Sequence, residues 1–374
     1  MYVVELVELC LSHLNSPGDL KSCALVCRLW VDTAQSYLFR APKIIYSAAA
    51  YDFLGLGKPQ NTWNHLLGVL TSSSSTHLVT HIRTLHIRTQ VTQETLSAIC
   101  AFPFTRVTTI AFAYSGVLPA SVVPALRALL ALPTLQRVKL QCTFSSPAHF
   151  ARLWDSMRSP HSSIQHVALG CDAPVQSLTD ADLILSSPRG GEGRPLESLY
   201  LLPHNVVNSR APPTHNVPWR VLAPVVRSAK KLEVVVNSTT MRALAPVLFP
   251  SASPGASAFP NLTTLRLYIP PWVPSPMRLA LTEQLFAGLA GPASVKKPPK
   301  LHTLVLAPLS DTDSALYAVL DEALCALELQ LKLEVDEATY AFILPFFPRL
   351  EASGAVSRTE GGVYWWYVGR EGVW

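Results

Sequence analysis

Charge is scarce in this sequence. Asp, Glu, Lys and Arg make up 15% of its 374 residues, and 30 Lys+Arg against 25 Asp+Glu leave a formal net charge of +5. So mild a surplus, spread without a block, is not the footprint of a nucleic-acid-binding domain. Long apolar runs are also missing. Even "ASVVPALRALLALPTL" (120–135) is broken by Pro124, Arg127 and Pro133, and no run reaches the ~18 residues a membrane helix needs. A secretory start is missing too. "MYVVELVELCLSHL" carries Glu5 and Glu8 inside its apolar run and lacks a basic start or a small-residue cleavage site. The seven cysteines are odd in number and scattered, which predicts reduced thiols in a cytoplasmic or nuclear protein. In that setting Asn237-Ser238-Thr239 and Asn261-Leu262-Thr263 are chance matches to the glycosylation pattern.

Signatures of catalysis are absent as well. No G-x-S-x-G, H-E-x-x-H or G-x-x-x-x-G-K-[ST] occurs. "RGGEGR" (189–194) is glycine-rich but has no strand-to-helix context, so it reads as an insertion. His77, His81 and His86 straddle a Ser-rich stretch and a strand, and five residues separate His81 from His86, which puts them on opposite faces of one strand. Cys23 and Cys27 have no second Cys/His pair at zinc-site spacing and read as small apolar residues. The expectation is a non-catalytic protein without cofactor or metal, acting by binding.

What the sequence has in quantity is apolar residues, 49% of the total, and they recur in a pattern. Apolar-x-x-apolar-x-apolar returns as "IRTLHI" (82–87), "VTTIAF" (107–112), "LQRVKL" (135–140), "IQHVAL" (164–169), "LESLYL" (196–201), "LTTLRL" (262–267) and "LHTLVL" (301–306). Weaker copies are "LEVVVN" (232–237) and "LELQLKLEV" (327–335). Each copy ends in period-two alternation and reads as a short strand. Helix-period segments lie between them, at 119–132, 146–159, 276–290 and 313–327. In 146–159 the buried face should be Phe150, Leu153, Trp154 and Met157. A doubly wound α/β enzyme would give the same alternation, but no strand end carries a Gly-rich phosphate loop.

The repeated L-x-x-L-x-L resembles the leucine-rich-repeat family over about residues 80–355. The resemblance implies an α/β solenoid with parallel strands and outer helices. The array should be irregular, because "SSPRGGEGRP" (186–195), "HNVVNSRAPPTHNVP" (204–218) and "SASPGASAFP" (251–260) stretch the period, and the Asn or Cys that follows the strand in the family is mostly missing.

Residues 1–46 read as three short helices. The first places Val3, Leu6, Val7, Cys10, Leu11 and Leu14 on one face; "NSPGD" (15–19) is a loop with Asp19 as N-cap; the second helix holds "LKSCALVCR"; a break near Arg28–Trp30 precedes "VDTAQSYLF". Taken as a helix, "CALVCRLW" (23–30) has almost no polar side. So small a unit cannot hide that surface alone, so another surface should cover it. Leu20, Cys23, Ala24, Leu25, Val26, Cys27, Trp30, Ala34, Leu38 and Phe39 resemble the F-box, in the form found in large fungal families.

Ahead of leucine-rich repeats, that similarity implies an F-box receptor. A Skp-type adaptor would link it to a cullin–RING ubiquitin ligase, and the repeats would hold a protein substrate. The resemblance implies that Leu20, Val26, Cys27 and Trp30 form the F-box core and its adaptor-facing surface. The family's motif opens with a Leu-Pro dipeptide; here the helical run starts at Met1, an N-terminally shortened F-box, which implies either that the chain is cut short or that adaptor binding is weakened or lost. The organisation expected is F-box 1–46, linker and first helical segment 47–80, solenoid 81–355 and aromatic cap 356–374, where Tyr364, Trp365, Trp366, Tyr367 and Trp374 would close the last repeat. A stand-alone interaction scaffold is the alternative function.

Strand alternation assigns the positions between the apolar ones to the opposite sheet face. That lane is Thr84, His86 and Arg88; Arg137, Lys139 and Gln141; His166; Ser198 and Tyr200; Thr264, Arg266 and Tyr268. It is modestly basic and contains tyrosine, which suits either a groove for an acidic or phosphorylated segment or an ordinary solvated face. The substrate-binding candidates are His86, Arg88, Arg137, Lys139, Tyr200, Arg266 and Tyr268.

Overall fold

In each of the seven full copies of the repeat the three apolar positions leave water. Ile82, Leu85 and Ile87 in the first, Leu135, Val138 and Leu140 in the third, and Leu301, Leu304 and Leu306 near the end are all buried. Full burial of one such side chain is worth about 1.5–3 kcal/mol, so the recurring triplet supplies the core. The computed structural model describes residues 3–14, 16–40, 43–45, 68–70, 72, 76–88, 93–144, 147–157, 159, 161–172, 196–201, 229–235, 261–268, 300–307 and 314–359. The predicted helix at 276–290, the three insertions, the aromatic tail 361–374 and most of 47–80 lie outside these residues.

The chain is α/β, with eleven strands that follow one another in chain order in one open sheet. They are β1 (Lys43–Ile45), β2 (Thr84–Arg88), β3 (Thr109–Leu118), β4 (Arg137–Phe144), β5 (His166–Asp172), β6 (Leu196–Leu201), β7 (Ala229–Val235), β8 (Thr264–Tyr268), β9 (Thr303–Ala307), β10 (Gln330–Glu334) and β11 (Val356–Thr359). The pairings are parallel. All nine predicted copies contain or overlap a strand. β1 and β11 were not foreseen: each is short and lacks the full apolar pattern.

The fold divides into two compact units, the first holding described residues 3–144 and 155–164, the second 147–154 and 165–359. In the first, α1 (Val3–Ser12), α2 (Pro17–Ala24) and α3 (Arg28–Leu38) close over a small core of Val7, Leu11, Leu20 and Ala34, against which Leu14, Cys23, Ala24, Trp30, Tyr37 and Leu38 pack. The structure corrects three details here. Leu6 and Cys10 are exposed rather than on the buried face of α1. The N-cap of α2 is Ser16, whose Oγ accepts the Asp19 N–H at 3.4 Å, so Asp19 sits inside the first turn. The helix break falls at Leu25–Cys27, not at Arg28–Trp30, because the chain turns after Ala24 and α3 already includes Trp30.

The helices are tied to the sheet's first strands. The Arg40 carbonyl accepts the N–H groups of both Arg83 and Thr84 at 2.9 and 3.0 Å, and the Arg83 carbonyl does the same for Thr108 and Thr109. The same forked bond recurs from Thr108 to Gln136 and Arg137. α4 (Gln93–Cys100) precedes β3 and α5 (Val123–Leu130) precedes β4; the two helices pack on each other, and Leu96, Ile99, Leu126 and Leu129 are buried. Pro124 sits in the first turn of α5, where its missing N–H has no helical partner to lose. α6 (Pro147–Met157) follows, and its Phe150, Leu153, Trp154 and Met157 are buried as predicted.

In the second unit the forked pattern returns from Gln165 to Glu197 and Ser198, and from Thr263 to His302 and Thr303. α7 (Ser314–Ala326), α8 (Glu337–Ile343) and α9 (Pro348–Ala352) complete it. Tyr317 is fully buried, its ring 5.4 Å from that of Phe347. Gly354, at φ 67°, ends α9 in a left-handed turn that returns the Ala355 N–H to the Leu350 carbonyl at 2.8 Å.

Candidate functional site

Two surfaces carry the residues singled out by sequence. The first is the corner between α2 and α3. Leu25 is 86% exposed and Val26 67%, and Cys27 is exposed at the N-cap of α3, where no side chain bonds the helix start. The N–H groups of Leu25 and Val26 return to the carbonyls of Ser22 and Cys23 at 3.0 and 3.1 Å, so a hydrogen-bonded turn holds these side chains outward. The four predicted adaptor residues therefore separate into two kinds. Leu20 is buried and Trp30 half-buried against the same core; Val26 and Cys27 face solvent. Leu25, quoted for its apolar character but not named as a site residue, is the most exposed of all. Among the described residues six large apolar side chains are exposed, and Leu6, Leu9, Leu25 and Val26 are four of them.

The second surface is the sheet face opposite the core. Strand pairing sets its rows: Thr84, Thr109 and Arg137 align, as do His86, Ala111 and Lys139. In the second unit Tyr200, Glu233, Arg266, Val305 and Lys332 share one row, and His166, Ser198, Lys231, Thr264 and Thr303 another. This face is not uniformly wet, which corrects the expectation of an exposed lane. His86 and Tyr200 are buried, as are Ser198, Glu233, Thr303 and Glu334. Side chains spaced ~4.8 Å apart on neighbouring strands shade one another. Arg137 is exposed, and Lys139, Arg266 and Tyr268 are intermediate. Arg88 keeps its register position opposite Ala113.

Two cations of the second unit's lane, Lys231 and Arg266, are matched by acids. Lys231 Nζ stands 2.7 Å from Glu233 Oε1, and Arg266 lies between Glu233, at 3.8 Å, and Glu334, with which it pairs directly. Glu233 and Glu334 came from weak copies of the repeat, whose place in the lane depended on a register that the sequence alone did not reveal. His166 Nδ1 and Ser198 Oγ are 2.7 Å apart. That is the form of a base–nucleophile pair, and Ser198 is 3% exposed.

Elsewhere, burial raises the Asp155 carboxyl above its usual range, partly opposed by Arg127, whose Nε donates to Ser156 Oγ at 2.8 Å. Burial also raises the Cys100 thiol, which makes it a poor nucleophile. Among the described residues no three His, Cys, Asp or Glu side chains are placed to hold a metal ion, and no helix is long and apolar enough to cross a membrane. In comparisons with known proteins, no family model and no curated protein matches this chain.

Proposed function

We propose that the protein is a non-catalytic receptor: its N-terminal helices dock on a Skp-type adaptor of a cullin–RING ubiquitin ligase, and its repeats, read as an irregular leucine-rich solenoid, hold a protein substrate. The observation that carries the reading is the pair Leu25 and Val26, 86% and 67% exposed at a turn held by backbone hydrogen bonds. Two aliphatic side chains kept in water at a rigid corner forgo about 3–6 kcal/mol that a partner would recover on covering them. Parallel strands in chain order, with the L-x-x-L-x-L positions buried, support the repeat half of the reading. A receptor of this kind works by proximity, holding its substrate at high effective concentration beside the transfer machinery.

Purified Skp-type adaptor should be retained by the full chain and lost from Val26→Asp. Retention by both, or by neither, defeats the adaptor assignment. One feature favours a scaffold without a ligase role: β1 pairs with β2, and α3 touches the 3-10 turn Thr76–His81 through Gln35–His77 at 3.2 Å. The three helices would then serve as an end cap, and neither protein would bind the adaptor.

A further inference from the structure

We infer that the outward face of α8, continued through the 3-10 turn Leu344–Phe346, is a docking site for a basic amphipathic segment of a partner protein. The inference goes beyond the receptor reading, since it needs neither the N-terminal corner nor the sheet face. Of the large apolar side chains exposed among the described residues, Phe342, at 52%, is the one that belongs to the second unit. It does not stand alone. Ala338, Ala341 and Pro345 are exposed as well. With Phe342 they occupy positions i, i+3, i+4 and i+7, which line one face of a helix. Ile343 is fully buried, so α8 is apolar toward the core and apolar again toward water.

The exposed face is held in place. The Phe342 ring lies 6.0 Å from that of Phe346, which lies 5.7 Å from that of fully buried Tyr317. This run of rings anchors Phe342 to the core, and an aromatic side chain fixed before binding loses little freedom when a partner covers it. The small side chains of Ala338 and Ala341 leave the backbone open to close approach.

Charge selects the partner. α7 and α9 both pack against the turn that carries Pro345. Each of the three helices has one exposed glutamate, Glu322 on α7, Glu337 on α8 and Glu351 on α9, while Arg349 is their only cation. Among the described residues none of these glutamates is engaged in an ion pair. Residues 314–359 hold seven acidic residues and three basic ones, in a chain whose formal net charge is +5. Acid around an apolar stripe repels nucleic acid and anionic lipid and attracts Lys and Arg. A segment with apolar residues on one side and basic residues beside them meets both demands.

The test is fluorescence anisotropy with the full chain and three labelled peptides of equal length: leucine and lysine in a helical pattern, the same pattern with serine for leucine, and the same pattern with glutamate for lysine. The leucine–lysine peptide should bind, the other two should not, and added salt should weaken binding. Phe342→Ser should lose at least about tenfold in affinity. Ala341→Lys, a change at an exposed position that takes nothing from the core, should lose as much, so the face is tested even if Phe342→Ser is unstable in thermal melts. Glu322→Gln, Glu337→Gln and Glu351→Gln together should weaken binding and flatten its salt dependence. Val26→Asp should bind as the parent does; its failure would move the peptide to the N-terminal helices and overturn the inference. So would an unaffected Ala341→Lys, or equal binding of the serine or the glutamate peptide. A dimer in light scattering that Ala341→Lys dissolves, or sedimentation with phosphatidylcholine vesicles that it abolishes, would overturn it too, by handing the face to a second copy or to a lipid surface.

Discussion

Asp321 Oδ1 accepts the backbone N–H of Leu350 at 2.9 Å, and its Oδ2 accepts that of Arg349 at 3.2 Å. The two hydrogen bonds join the middle of α7 to the first turn of α9, whose own N-cap, Phe347, makes no side-chain bond. A carboxylate 28 or 29 residues away thus supplies the missing cap, and it does so while buried. Asp321→Ala should cost about 2–4 kcal/mol, since it strands the buried Leu350 N–H and the part-buried Arg349 N–H and removes charge-assisted bonds. Asp321→Asn, which keeps one acceptor, should cost less. Urea denaturation of the three proteins measures both.

Arg266 lies between two buried acids. Its removal in Arg266→Ala should destabilise by about 3–5 kcal/mol, because Glu233 and Glu334 would keep their charge without its main partner. The triple change Arg266→Met, Glu233→Leu, Glu334→Leu should recover most of that loss, as apolar replacement of a whole buried network often does. If the triple variant is no more stable than Arg266→Ala in thermal melts, the network's value is not the pairing described here.

Leu20 and Val26 are six positions apart and should behave in opposite ways. Leu20→Ala opens a cavity in a core built from few residues and should cost about 2–4 kcal/mol. Val26→Asp, at a site 67% exposed, should stay within about 0.5 kcal/mol of the parent. Melts of the two variants decide this independently of any adaptor.

Asp336 caps α8 by accepting the Thr339 N–H and hydroxyl, each at 2.9 Å. The Thr339 backbone bond, followed by its hydroxyl, holds the Asp336 carboxyl below the usual range. A folded value below the unfolded one means that the ionised cap stabilises the helix above the unfolded Asp value, about 3.9. That contribution is lost as pH falls through the lower folded value. Acid titration followed by amide exchange should show α8 opening in this window. The response should be missing in Asp336→Asn, whose cap does not titrate.

The strands were legible because burial leaves a local mark. Leu135, Val138 and Leu140 declare a core-facing strand within six residues. Side-chain direction at the α2–α3 corner was not legible, since Leu25 and Val26 are as apolar as core residues and only the turn after Ala24 sends them outward. Glu233 and Arg266 are 33 positions apart in sequence, and their pairing needed the β7–β8 register. His86 shows the limit of period two: alternation gave its face correctly, but exposure depends on the neighbours that crowd it.

Strand order that copies chain order has a bearing on how such a chain can change over generations. Residues 269–302 separate β8 from β9 and residues 308–329 separate β9 from β10, yet both pairings align residue for residue. Because backbone pairing ties each strand to its neighbours in the sheet, a connection can grow, shrink or swap its chemistry without forcing a realignment farther along. Novelty in what the molecule recognises can therefore accumulate one rung at a time.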